Sequence, residues 1–104
     1  MYKRVSTKAE AKKVIIETLG QTQYLITKFP EIELYKLIKE KIKIIEKDVF
    51  FEKIQLKPFE AISNVRYKLG AIAANNFDLE NDEYAQRLSD ISSLIYEYEN
   101  LPDN

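Results

Sequence analysis

The sequence predicts an all-α protein, a single compact antiparallel bundle of four main helices within residues 1–104. Three observations predict it. Apolar residues recur at three- and four-residue steps, as on helices that turn one face to a core. Pro30, Pro58 and a tight turn at Asn76, Phe77 and Asp78 divide the chain into helical segments with short connections, so successive helices pack on each other. The length of 104 residues provides for one modest core, about residues 7–101 with short flexible ends, and not for a two-domain enzyme.

The first helix is expected from about Thr7 to Lys28. Thr7-Lys8-Ala9-Glu10 is a capping-box pattern, and Ala11, Val14, Ile15, Thr18, Leu19, Thr22, Leu25 and Ile26 follow on one face. Pro30 disfavours helical geometry at Phe29 and ends the helix. The second helix is expected to open at Pro30-Glu31 and to reach at least Asp48. Leu34, Tyr35, Ile38, Ile42, Ile45 and Val49 form its main stripe, and Leu37, Ile44 and Phe51 a second, which makes it a central helix with two neighbours. Lys36, Lys39, Lys43 and Lys47 line its other side, but Glu40 and Glu46 interleave with them. Without an aromatic platform this reads as a solvated face, not a nucleic-acid track.

Residues 49–57 either extend the second helix or form a separate turn. A third helix is expected from Phe59 to Asn75, burying Ala61, Ile62, Val65, Leu69, Ile72 and Ala73 and turning Tyr67, Gly70, Ala71 and Ala74 to another helix or to a partner. The last helix, about Asp82 to Glu99, buries Tyr84, Leu88, Ile91, Ile95 and Tyr98, with Leu94 at the margin. Tyr96 stands on its other face among Ala85, Ser89, Ser92 and Ser93, either as an interface anchor or as a lone exposed tyrosine. Leu101 to Asn104 reads as a frayed tail.

Composition narrows the chemistry. Without cysteine or histidine the chain lacks disulfides, thiol nucleophiles, the usual zinc ligands and the commonest general base. Asp78, Glu80, Asp82 and Glu83 cluster, yet no base, phosphate loop or calcium-loop glycine accompanies them. We therefore expect no catalytic residue, metal site or cofactor. The N-terminus lacks the apolar core of a signal peptide, and no apolar run reaches the roughly 20 residues of a membrane span, so the expected location is cytoplasmic. Charge is unevenly divided: residues 1–68 hold 15 Lys/Arg against 9 Asp/Glu, whereas residues 69–104 hold Arg87 against 8 acids. Either a charged partner or packing of the acidic last helix on a basic neighbour accounts for this.

The most informative stretch is Leu69 to Leu88. Gly70, Ala71, Ala73 and Ala74 strip a helix of bulk, which suits the close approach of a second helix or of a partner. Asn81 then serves as N-cap of an acidic helix start at Asp82 and Glu83. The pattern Leu69-Gly70-x-Ile72-Ala73-x-x-x-Phe77-Asp78, followed by Asn81-x-Glu83 and Leu88, resembles the small all-helical immunity proteins of bacterial type VI secretion. In particular it resembles the family that neutralises an effector hydrolysing NAD and NADP. Lys28-Phe29-Pro30 is similar to that family's break between its first two helices, and the resemblance runs from about residue 9 to 99.

The resemblance implies a protein that binds a cognate toxin domain and blocks a nucleotide-using cleft. From charge and exposure, Asp78, Glu80, Asp82 and Glu83 are the candidate electrostatic contacts, with Tyr67 and Tyr96 as anchors. The free protein is expected to be a monomer or a weak homodimer that binds neither nucleic acid nor membrane. The alternative is a helical adaptor or regulatory protein-binding module unrelated to toxins.

Overall fold

Thr7 opens the first helix: its hydroxyl accepts the Glu10 N–H at 3.1 Å while the Glu10 carboxylate turns back to the Ser6 N–H at 3.1 Å. In the computed structural model, which describes residues 2–104, α1 is Lys8–Lys28. It closes with the Phe29 N–H on the Leu25 carbonyl, one residue before Pro30. The next helix, α2, is Glu33–Glu46 and starts later than the proline suggested. Pro30 instead lies in a tight turn closed by the Ile32 N–H on the Phe29 carbonyl at 3.0 Å, which leaves Ile32 extended as the N-cap residue.

Residues 49–57 divide between the two expected forms. Over Lys47–Phe51 the second helix continues as one wide π-type turn, with the Glu52 N–H reaching the Lys47 carbonyl at 2.9 Å. Lys53 then takes a left-handed φ of 56°, and an extended run follows in which the Leu56 N–H bonds the Ile95 carbonyl.

The expected third helix is broken. α3 is Pro58–Ser63, a 3₁₀ turn covers Val65–Tyr67, and α4 is Leu69–Asn76. Asn64 makes the break: its side chain accepts the Arg66 N–H at 3.0 Å, giving the backbone a local partner in place of the helical one. The break rotates α3 out of register with α4, so Ile62 and Val65, expected in the core, are 71% and 70% exposed. The last helix, α5, is Glu83–Glu97, extended by a 3₁₀ turn at Tyr98–Asn100.

Four helices of seven or more residues, α1, α2, α4 and α5, thus form an all-α bundle, and no strand occurs among the described residues. The centre is shared. α2 packs on α1, α4 and α5, and α5 on α1, α2, α3 and α4, around Ile15, Ile38, Ile42, Leu88, Ile91 and Ile95. Leu94 is buried with them, whereas Leu37 and Phe51 of the second α2 stripe face solvent. The Cα radius of gyration, 13.0 Å, is that of a close-packed chain of about 100 residues.

Both ends of the described chain are pinned where loose ends were expected. Asp90, 4% exposed, accepts the Tyr2 hydroxyl and, at 2.7 Å, the Val5 N–H. At the other end the Pro102 carbonyl accepts the Lys8 N–H at 2.8 Å, satisfying an orphan donor of the first turn of α1. In mid-α1, Gly20 meets open space: a Cβ there has nothing within 4 Å. Gly20→Ala should therefore raise stability by about 0.5–1 kcal/mol, read as a higher urea midpoint at unchanged slope.

A candidate partner-binding surface on the last helical hairpin

The turn between α4 and α5 is built from its own side chains. Phe77 ends α4 with its N–H on the Ala73 carbonyl. Asp78 accepts the Asn81 side-chain amide at 2.8 Å and the Glu80 N–H at 3.0 Å, and these two bonds, the amide first, hold its carboxyl below the usual aspartate range. Asp82, not Asn81, is the N-cap: its Oδ1 accepts the Tyr84 N–H at 2.9 Å and the Ala85 N–H at 3.4 Å. A carboxylate at that position meets both the orphan N–H groups and the positive helix end, and Asn81 is left to brace Asp78. Gln86 reaches back to the Leu79 and Glu80 carbonyls and ties the turn to α5.

The acidic quartet therefore splits by role. Asp78 and Asp82 fold the turn. Glu80 is exposed, and its carboxylate makes no hydrogen bond or ion pair among the described residues. Glu83 is exposed too, with Arg87 of its own helix 4.0 Å away.

At the other end of the hairpin the small residues of α4 lie on α5. A Cβ on Gly70 would stand 3.3 Å from the Ser92 hydroxyl, which donates to the Tyr67 carbonyl at 3.0 Å. The glycine thus serves a helix crossing within the chain. Because both helices are small-sided there, their outer edge is recessed into a groove of about 400 Å³, lined by Ala71, Ser89, Ser93 and Tyr96 with Ile62 at its margin. Tyr96 is half-buried and donates its hydroxyl to Ser93 at 3.2 Å. Tyr67 is 5% exposed, so it lies in the groove floor and does not project from the surface.

The Tyr67 hydroxyl points inward to Asp48, which sequence reasoning had passed over. Asp48, 2% exposed, accepts the Tyr67 hydroxyl at 2.6 Å and Arg66 Nε at 2.8 Å. Arg66 foremost, then Tyr67, holds the Asp48 carboxyl below its ordinary range. The guanidinium is pushed up by the same pairing, and the Tyr67 phenol is raised by burial and by Asp48. This clamp fixes the 3₁₀ turn, and with it α3, against the end of α2.

A second recess, of about 470 Å³, lies between the N-terminal segment and α5, lined by Tyr2, Arg4, Glu80 and Asp90. Ser89 and Ser93 border both recesses, so the serine face of α5 is a ridge between two hollows. All six residues singled out from the sequence lie on the α4–α5 hairpin or its threshold. The acidic ones stand at its closed end, and Tyr67 and Tyr96 stand one α4 length away, roughly 12 Å. Among the described residues no group of His, Cys, Asp or Glu side chains is placed to hold a metal ion, and no helix is long and apolar enough to cross a membrane.

An all-α bundle with a recessed surface on its last helical hairpin is a frame suited to binding a partner protein. The Tsi6 family model matches residues 10–97, most of the chain, and the chain belongs to that family of type VI secretion immunity proteins. Its partner is accordingly a cognate effector protein, which points to an inhibitor, not an enzyme. No curated protein and no solved structure matches the chain significantly.

Proposed function

We propose that this protein neutralises an effector domain that degrades NAD(P), or uses a related nucleotide, by covering its active-site cleft with the α4–α5 hairpin. One observation carries the reading: Asp78, Asp82 and Gln86 lock a turn that holds Glu80 and Glu83 outward on a rigid support. A cleft that binds dinucleotide phosphates presents N–H groups and positive charge, and a fixed pair of carboxylates suits that field. Asp78 and Asp82 add negative charge to the same end, and Tyr96, above the Tyr67 floor, supplies an aromatic contact one α4 length, roughly 12 Å, away from it. The free protein acts as a monomer or weak homodimer in the cytoplasm, where such an effector finds its nucleotide.

Co-expression tests this. The effector domain encoded beside the gene is produced in bacteria with and without this protein, and growth and cellular NAD are followed. NAD collapse relieved by co-expression is the expected result. Toxicity relieved without NAD loss would keep the inhibitor and replace the toxin class, and absence of toxicity would favour the adaptor.

A further inference from the structure

Phe59, Ile62 and Val65 are 69%, 71% and 70% exposed and follow one another at three-residue steps along α3 and the 3₁₀ turn. Single exposed apolar side chains are ordinary. A row of three beside a recessed groove is the kind of surface that interaction sites show. The row is also held in place: Asn64 breaks the helix that would have buried Ile62 and Val65, and Asp48 clamps the turn that carries Val65. Its borders are basic. Lys41 Nζ donates to the Val65 carbonyl at 3.1 Å, Arg66 follows in sequence with its side chain 48% exposed, and Lys68 lines the groove. The one carboxylate of α3, Glu60, is turned back onto the Lys57 N–H.

We infer that the Phe59–Ile62–Val65 row and the adjoining groove seat an apolar segment of the effector flanked by carboxylates, as the contact that anchors the complex. The inference rests on the effector-binding reading above and adds a second pole to it. The closed end of the hairpin meets positive charge, and the α3 row meets apolar side chains rimmed by negative charge. A partner with that pattern is held in one orientation, because reversing it would set like charges against each other at both poles. The groove, bordered by Ile62 and walled by Tyr96, accepts a side chain that the flat row alone could not hold.

Calorimetry with the purified effector domain tests this on the full chain, using Ile62→Ser, Val65→Glu and Val65→Lys. Both positions are solvent-facing, so thermal midpoints should match the wild type and confirm folding. Ile62→Ser is expected to weaken binding by roughly 30-fold or more. Val65→Glu should weaken it roughly tenfold beyond Val65→Lys, because only the glutamate opposes the partner's carboxylates. Wild-type affinity in Ile62→Ser and Val65→Glu would overturn the proposal. So would a concentration-dependent dimer abolished by Ile62→Ser, since a second copy would then be the occupant. Failure of the effector-binding reading is told apart from these by the wild type itself, which would then not bind the domain.

Discussion

Replacing Asp48 with alanine should lower stability by about 2–3 kcal/mol. The carboxylate joins the π-type turn after α2 to Arg66 and Tyr67, and it is the acceptor for a tyrosine hydroxyl that has no route to water. Removing it leaves that buried donor unpaired, which is the costly half of losing a hydrogen bond, while Arg66 turns outward at little expense. For a domain of this size the loss amounts to a melting point about 10–20 °C lower. The carboxyl is held below its ordinary value, so folding favours the ionised form. Its contribution is complete above the unfolded aspartate value of about 3.9 and is lost as pH falls through the lower folded value. Urea midpoints measured from neutral pH into acid should therefore fall less steeply for Asp48→Asn, which keeps the acceptor for Tyr67 without the titrating group.

Reversing Glu80 and Glu83 together to lysine should slow association with the effector domain by tenfold or more at low ionic strength. The change moves the formal net charge from −1 by four units to +3, all at the closed end of the hairpin. Charges at a docking surface act mainly on the association rate, so dissociation should change little and the salt dependence of association should weaken or invert. The fold should survive, because Asp78 and Asp82 still hold the turn. The lost Glu83–Arg87 pair and the misplaced charge at the start of α5 cost only about 1 kcal/mol. Stopped-flow association at two or more salt concentrations reads the effect, and an unchanged rate would move the docking surface elsewhere.

What was legible in the sequence was local. The Thr7 cap and the stop at Pro30 each depend on neighbours within one or two turns and form as their residues suggest, and the bare face at Gly70 announced a close approach without naming Ser92 of α5 as the partner. The α4–α5 turn shows the edge of that range: acidic helix-start chemistry was evident, but Asp82 and not Asn81 caps the helix, because Asp78 engages the asparagine. The exposed α3 row was hidden by the assumption that one apolar period runs from Phe59 to Asn75. Asn64 interrupts it through a single side-chain bond, a choice between two near-equal backbone arrangements that periodicity does not register.

Asp48 and Asp90 were hidden for a different reason. Their partners lie 18 or more residues away in sequence, and only the packed structure brings them together. The available signal was a carboxylate beside strongly apolar neighbours, Val49 in one case and Ile91 in the other. Such a residue needs a partner once it is buried.

Occlusion of the cofactor cleft is the central claim, and competition measures it most directly. The affinity of the purified effector domain for this protein is determined at rising concentrations of a non-hydrolysable NAD analogue. If the hairpin covers the cleft, the apparent dissociation constant rises in direct proportion to the analogue once the cleft is saturated. An affinity that stays constant at saturating analogue would show that both bind together, and would contradict the account.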